Sequence, residues 1–93
     1  MIKVMLERNI RGKNVPEIVR LMRQMRVRAM QQPGYVTGET LHSVDNPNYY
    51  VVISSWDTKE NWDAWSKNPE RQKLTEEVDK LLESPTKVTV LTT

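Results

Sequence analysis

The chain has 93 residues, which is enough for one domain and excludes a multidomain enzyme. Its 14 Lys and Arg stand against 12 Asp and Glu, and this net charge of +2 is too balanced to predict nucleic-acid binding from composition. The absence of cysteine excludes a disulfide framework, a thiolate nucleophile and a thiolate metal site.

The composition and the first residues predict a cytoplasmic protein. A chain without cysteine is typical of a reducing compartment. The stretch from Met1 to Arg8 carries an acid and alternates in hydropathy, unlike a signal peptide. No apolar run approaches the roughly 20 residues that a membrane span requires, so we expect no membrane partner.

The first predicted elements are a strand and a helix. Residues 2–10 alternate between apolar and polar side chains, which predicts a strand with one buried face, and Arg8 is a polar intruder on that face. Asn14 is placed to cap the helix that follows, and Pro16 suits its first turn. The helix is predicted to end at Pro33-Gly34 and to bury a stripe formed by Val15, Ile18, Met22, Met25 and Ala29.

Two strands come next. The second strand is predicted over residues 35–43, and a turn cluster at 45–48 leads into a third strand at 49–56. The third strand is apolar on both faces, with Tyr49, Val51 and Ile53 on one side and Tyr50, Val52 and Trp56 on the other. A strand of this kind is expected to be covered on both faces.

The last part of the chain predicts a broken helix and a final strand. Asp57 or Thr58 is placed to cap a short helix that runs to Asn68. Pro69 begins another helix in a slightly different direction, with an apolar stripe of Leu74, Val78, Leu81 and Leu82. Residues 87–92 alternate again and predict a fourth strand.

The order β-α-β-β-α-α-β predicts a single α+β domain over residues 1–93. It is the ferredoxin-like pattern, with a four-stranded antiparallel sheet and helices on one face only. One chain therefore covers one face of the third strand, and we expect a second copy to cover the other. We predict a homodimer through the sheet face; the alternative is a monomer that tolerates one amphipathic face.

The sequence lacks the residue patterns of conventional hydrolase, dehydrogenase and metal-dependent active sites. Three scattered glycines form neither a Walker loop nor a dinucleotide-binding fingerprint. His42 is the single histidine, and it is interpreted either as a strand-surface or interface residue or as a catalytic base. Without a clustered set of ligands we expect no metal site and no cofactor.

The first third of the chain is rich in arginine, which raises the possibility of an RNA-binding face. The arginines of the predicted helix spread round its polar arc instead of following one line, and no strand carries the aromatic pattern of RNA-binding domains. We therefore interpret the segment as a solvated face with charge pairing between subunits and expect no nucleic-acid partner.

The predicted helix after the third strand carries a candidate binding wall. Asn61 and Trp65 are four residues apart and so share one face, with Trp62 beside it. Two indoles and a side-chain amide form a flat surface that is able to donate hydrogen bonds, which suits a planar aromatic ligand with a carbonyl or phenolate oxygen. The alternative is ordinary core packing.

Two arginines point to an internal polar cavity between helices and sheet. Arg8 interrupts an apolar strand face, and Arg71 lies close to the middle of an apolar helix stripe. A guanidinium on a core-facing position needs a partner or a solvated cavity, although snorkelling at the sheet edge is an alternative for each. Met22 and Met25 are candidates to line the same cavity, or are plain core.

Two segments of the chain resemble the antibiotic-biosynthesis monooxygenase family. They are PGYVTGETL at 33–41, and VISSW at 52–56 followed by Asn61, Trp62, Ala64 and Trp65 and then by SKNPER at 66–71. The resemblance covers essentially the whole chain and implies the dimeric α+β barrel fold. The family contains cofactor-free oxygenases of polyketide anthrones, haem-degrading enzymes, a signal-molecule isomerase and members of unknown activity.

The family's functional residues are matched only in part. Asn61 and Trp65 match the Asn and Trp that contact substrate oxygens in the anthrone-oxidising relatives, whose tyrosine further along is replaced here by Arg71. Trp65 also matches the tryptophan of the haem-degrading relatives. Their strand asparagine is Arg8 here and their axial histidine is Thr75, so the resemblance does not imply haem degradation.

The resemblance implies a cofactor-independent monooxygenase that acts on a small electron-rich aromatic compound, phenolic, quinol or anthrone-like. Asn61 and Trp65 are the candidate catalytic residues. The candidate substrate-binding residues are Arg8, Met22, Met25, Trp62 and Arg71. The alternative is a non-catalytic, small-molecule-binding or stress-related dimer that kept the fold and lost the chemistry.

Overall fold

The elements follow one another in the predicted order. The computed structural model describes residues Met1–Thr93. The strands are β1 (Ile2–Asn9), β2 (Tyr35–His42), β3 (Tyr49–Trp56) and β4 (Lys87–Thr92), and the helices are α1 (Val15–Ala29), α2 (Lys59–Ser66) and α3 (Pro69–Asp79). This α+β, ferredoxin-like arrangement confirms the fold predicted from the alternating patterns.

The four strands form one antiparallel sheet in the order β2-β3-β1-β4. In the register of the central pair, Leu6 lies opposite Val52, and Leu6 also pairs with Val88 of β4. The two edge strands do not pair with each other, so the sheet of one chain is open and is not a closed barrel.

The core lies between the helices and one face of the sheet. Alternate residues of β1, from Ile2 to Arg8, are buried there, as the period of two predicts. One buried cluster joins α1 to the end of α3 and contains Ile10, Ile18, Leu21, Met22, Met25, Val78 and Leu82. A second cluster joins β1 and β3 to α2 and contains Ile2, Val4, Leu6, Trp56, Trp62 and Trp65.

Side-chain caps set the break between α2 and α3. The Thr58 hydroxyl accepts a hydrogen bond from the backbone N–H of Asn61 at 3.1 Å. Asn68 caps α3 instead of ending α2, because its side-chain oxygen accepts from the N–H groups of Glu70 at 2.9 Å and Arg71 at 3.4 Å. The predicted break at Pro69 is confirmed.

The predicted side-chain cap of α1 is wrong. Asn14 occupies the N-cap position, but its amide nitrogen donates to the carbonyl of Arg11 at 2.7 Å and its side chain makes no bond to the helix. The short turn before the helix offers that carbonyl close by, so the amide folds back on the turn.

The other face of the sheet carries no helix. Met5, Val51 and Ile53 lie there, only partly buried. Among them the Tyr49 hydroxyl donates to Oε1 of Glu7 at 2.6 Å, and this bond raises the pKa of Tyr49.

None of the helices is long and apolar enough to cross a membrane.

Candidate functional site

A cavity lies between the sheet and the helices, at the point where all three helices approach β1 and β3. Its free volume is about 60 Å³. The sheet contributes Leu6 and Arg8 from β1, Val52, Ser54 and Trp56 from β3, and Tyr35, Gly38, Glu39 and Thr40 from β2. The helices contribute Met22, Met25, Arg26 and Ala29 from α1, Trp62 and Trp65 from α2, and Arg71 from α3.

One wall of the cavity is a connected set of aromatic rings. Tyr35 meets Trp56 edge to face, with ring centroids 5.4 Å apart, and Trp56 meets Trp62 in the same manner at 5.8 Å. The indole N–H of Trp56 donates to the Ser54 hydroxyl at 3.0 Å. All three tryptophans of the chain line this one cavity.

Arg8 is the most buried charged group of the cavity, with 2% of the residue exposed. Its Nε donates to the hydroxyl of Thr86 at 3.1 Å, whereas its buried Nη2 has no hydrogen-bond partner. Burial and the nearby charge of Arg71 lower the pKa of Arg8 to about 10, against a smaller opposing effect of Asp79.

Arg71 brings a second guanidinium to the same cavity. The residue is 7% exposed, and its guanidinium carbon lies 5.0 Å from the centre of the Trp62 ring, in cation–π contact. Burial lowers the pKa of Arg71, and the charge of Asp79 opposes that effect.

No carboxylate forms an ion pair with either arginine. The four ion pairs of the structure join other residues: Glu17 with Arg20, Arg28 with Glu70, Lys59 with Asp63 and Glu7 with Lys87. Asp79, the acid whose charge raises both pKa values, accepts from the backbone N–H and the hydroxyl of Thr86 at 3.2 and 2.8 Å. Its only hydrogen-bonded link to Arg8 runs through the Thr86 hydroxyl, which accepts from Arg8 Nε and donates to Asp79 Oδ1.

The side of the cavity toward β2 holds its exposed lining residues and so marks the opening. Arg26 extends from α1 and donates to the carbonyl of Gly38 on β2. The Tyr35 hydroxyl packs directly over Gly38, where an added Cβ would lie 2.7 Å from it. Glycine at this position thus leaves room for the tyrosine hydroxyl, because any side chain would collide with it.

The structure brings most of the predicted site residues together. Lining the single cavity are Arg8, Met22, Met25, Trp62, Trp65 and Arg71. The alternation of β1 placed Arg8 on the helix side of the sheet, and the α1 periodicity placed both methionines there. The functional roles of these residues stay predictions.

Asn61 does not share this cavity. Its side-chain oxygen accepts from the Thr58 hydroxyl at 2.7 Å, and the side chain packs against Gly34, where an added Cβ would lie 2.2 Å from its Cγ. The helical spacing places Asn61 and Trp65 on one side of α2, but the cap turns the amide toward the loop before β2. A role in catalysis for Asn61 stays a prediction, and it requires the side chain to leave this position.

Ten of the sixteen lining residues were not predicted as site residues, among them Tyr35, Trp56 and Arg26. A signal existed for Trp56, because it shares the alternation of Tyr50 and Val52 and so faces the helices. Arg26 lies one residue from the apolar stripe of α1, and no local pattern shows that it reaches β2.

His42 lies outside the cavity. It is exposed on β2, with its ring centroid 5.3 Å from that of Tyr50. No group of three or more histidines and carboxylates is arranged to hold a metal ion.

Comparison with known proteins assigns the fold to a family. The model of the antibiotic biosynthesis monooxygenase family matches residues 1–77. No curated protein sequence matches the chain significantly.

Several solved structures share the whole fold at low identity. An antibiotic biosynthesis monooxygenase superposes with a TM-score of 0.91 and 16% identity, over 100% of this chain and 98% of that one. SnoaB, a cofactor-independent oxygenase from Streptomyces nogalater, gives 0.88 and 17%, over 99% and 91%. Rv0793 from Mycobacterium tuberculosis gives 0.89 and 20%, over 99% and 93%. With the family model covering most of its length, the chain belongs to the antibiotic biosynthesis monooxygenase family.

Proposed function

We propose that the protein is a cofactor-independent monooxygenase that acts on a small electron-rich aromatic compound. The observation that carries the proposal is one cavity that combines an aromatic wall with two buried guanidiniums that have no ion-pair partner, one of them stacked on the wall at Trp62. The wall suits a flat ring, and the guanidiniums favour the anion that forms when a phenol or enol loses its proton. SnoaB, with the same fold, is a cofactor-independent oxygenase.

The chemistry uses the substrate as its own reductant. Loss of a proton gives a carbanion, which passes one electron to O₂, and the resulting substrate radical and superoxide join as a carbon–oxygen bond. The peroxide takes up a proton; loss of the remaining proton on that carbon breaks the O–O bond and leaves a carbonyl and water. One oxygen atom enters the product, the other becomes water, and the substrate supplies all four electrons.

The residues of the cavity have separate tasks in this proposal. Trp65 holds the substrate ring and offers its indole N–H to a substrate oxygen. Arg8 and Arg71 stabilise the enolate or phenolate and so lower the pKa of the bound substrate. Met22, Met25 and Trp62 pack against the ring, and Asn61 contacts a substrate oxygen if its side chain swings in from the Thr58 cap.

The assembly belongs to the proposal as well. We propose a homodimer in which the bare faces of two sheets meet and together form the barrel that one open sheet does not. Met5, Val51 and Ile53 supply the apolar surface for it. The lack of cysteine supports a cytoplasmic setting for this dimer.

The second candidate is a non-catalytic dimer that binds a small molecule. It is favoured by Arg71, which stands where the anthrone-oxidising relatives are expected to carry a tyrosine. This candidate predicts saturable ligand binding without oxygen consumption.

The proposal is tested by measuring oxygen uptake with 1,4-dihydroxynaphthalene, with 1,4-dihydroxy-2-naphthoate and with the tricyclic anthrone, after subtraction of the spontaneous rate. We expect Trp65→Phe to lower kcat/KM for the best compound by about 10-fold or more, because phenylalanine keeps the ring and loses the N–H donor. Asn61→Ala reports separately on the amide.

The control is Arg23→Met, at an exposed position of α1 outside the cavity, which is expected to leave turnover unchanged. Equal kcat/KM for wild type and Trp65→Phe would remove Trp65 from the site. Tryptophan quenching by these compounds without oxygen uptake by any of them favours the non-catalytic candidate.

A further inference from the structure

The two cavity arginines define the charge of what binds there. We infer that the ligand is an aromatic carboxylate of one or two rings, whose carboxylate pairs with the guanidiniums of Arg8 and Arg71. The inference names a substrate class for the site of the proposed function and rests on that proposal for the role of the cavity.

The first step is the unpartnered donor. Arg8 lines the cavity, and its Nη2 is buried and has no hydrogen-bond partner. Buried donors are paired in nearly all folded proteins, and those on a charged group are the most costly to leave open. A ligand oxygen inside the cavity gives this donor its partner, and a carboxylate accepts from an arginine fork more strongly than a neutral group does.

The second step is the charge of the buried group. Arg8 and Arg71 bring two positive charges, and Asp79, the acid that acts on both, brings one negative charge. The other titratable residues of the lining are Tyr35, Arg26 and Glu39, and the latter two lie exposed at the opening. The interior therefore holds one uncompensated positive charge, and a ligand with a single negative charge neutralises it.

The third step is shape. Arg71 lies over the face of Trp62, so the anion sits at the end of the aromatic wall and the ligand ring extends from it along Trp65. The free volume of about 60 Å³ is well below the roughly 300–1,000 Å³ of pockets for drug-sized ligands. A compact acid fits this space better than a tricyclic compound does.

The test compares acids with amides of the same shape. Calorimetric titrations use benzoate against benzamide and 2-naphthoate against 2-naphthamide. We expect at least one acid to bind about 10-fold or more tightly than its amide, since a hydrogen bond to a charged group is worth about 1.5 kcal/mol or more. Because the pair is buried, the preference should change little between low and moderate salt.

Substitutions locate the preference. Arg8→Met and Arg71→Met keep an unbranched apolar chain in place of the arginine stem and remove the guanidinium with its charge, and each is expected to abolish most of the preference for the acid. The matched control is Arg23→Met, which removes the same charge from an exposed position of α1 outside the cavity and should keep the preference.

Four results would overturn the inference. Two concern the wild-type protein: equal binding of acid and amide, and no binding of either acid. Two concern the variants: a preference for the acid that survives in both Arg8→Met and Arg71→Met, and a preference that disappears in Arg23→Met. The wild-type comparison needs no variant to fold. Neither naphthoate nor benzoate is an electron-rich phenol, so the test is independent of turnover: a clear acid preference without oxygen uptake from any substrate removes the oxygenase and keeps the anion site.

Discussion

Arg8 is a charged side chain at a position that would otherwise hold a core residue. Burial lowers its pKa to about 10, so folding the charged form costs about 3 kcal/mol. A lowered pKa on a basic group means that the unfolded chain binds the proton more strongly, so this cost is fully present below pH 10. It declines only as the pH rises above that value.

The expected effect of Arg8→Met is therefore a more stable ligand-free protein. We predict a gain of about 1–3 kcal/mol in the free energy of unfolding at pH 7, because the burial cost is removed and an apolar chain replaces it. Urea denaturation measures the change. Arg23→Met should stay within about 0.5 kcal/mol of wild type, as for most exposed positions. A loss of stability in Arg8→Met would show that the arginine is compensated in the ligand-free state.

The Asn61 side chain occupies space that is free only because residue 34 is a glycine. The φ of Gly34 is +82°, and an added Cβ would lie 2.2 Å from Asn61 Cγ. Gly12 has a similar φ of +60° with nothing within 4 Å, so Gly12→Ala is a matched control for the backbone alone. We expect Gly12→Ala to cost roughly 1–2 kcal/mol. Gly34→Ala should cost clearly more in the same denaturation experiment; equal costs would contradict the contact.

The sequence predicted the positions of the site residues better than their directions. Alternation in β1 was enough to place Arg8 on the helix side, because a strand has only two faces. Helical spacing likewise put Trp65 in the cavity. The direction of the Asn61 amide was not predictable in this way. It depends on the contact with Gly34, which is distant in sequence, and on the hydrogen bond from the Thr58 hydroxyl.

At the scale of elements, the caps of the helices were only partly predictable. Pro69 identified the break between α2 and α3, and the sequence order of strands and helices followed from hydropathy alone. Asn14 and Asn68 look alike in sequence, each just before a helix with proline in its first turn. Only Asn68 bonds to its helix, because the amide of Asn14 donates to a carbonyl of the preceding turn.

The two asparagines provide a matched pair for experiment. We expect Asn68→Ala to lower stability by about 1 kcal/mol, since two backbone N–H groups lose their acceptor. Asn14→Ala should cost less, because no helix donor depends on it. Thermal melts of both variants measure the difference. One of the affected N–H groups belongs to Arg71, so Asn68→Ala should also weaken the binding of 2-naphthoate, whereas Asn14→Ala should not.

At the scale of the whole molecule, the bare face of the sheet is the feature that one chain leaves unexplained. The third strand was predicted to need cover on both sides, and the helices cover one. We expect sedimentation velocity to show a dimer for the wild type. Ile53→Glu places a charge in the proposed interface and should weaken the dimer by about 100-fold, taking roughly 3 kcal/mol for burying it.

Val44→Glu is the control for this experiment. Val44 is 98% exposed in the loop between β2 and β3, so the same charge added there should leave the dimer intact. A wild-type monomer at micromolar concentration would contradict the proposed assembly and leave the sheet with one amphipathic face.

Strand β3 serves both surfaces at once. Val52 and Ser54 line the cavity, while Val51 and Ile53, one peptide unit away, lie on the bare face. In the proposed dimer, a change in twist that a second copy imposes on β3 would therefore also move the strand residues that line the cavity. Thermodynamic linkage makes such an effect reciprocal: the factor by which association changes ligand affinity is the factor by which ligand changes association. For such a coupled dimer, protein concentration would regulate binding, and dilution alone is expected to shift the ligand's dissociation constant.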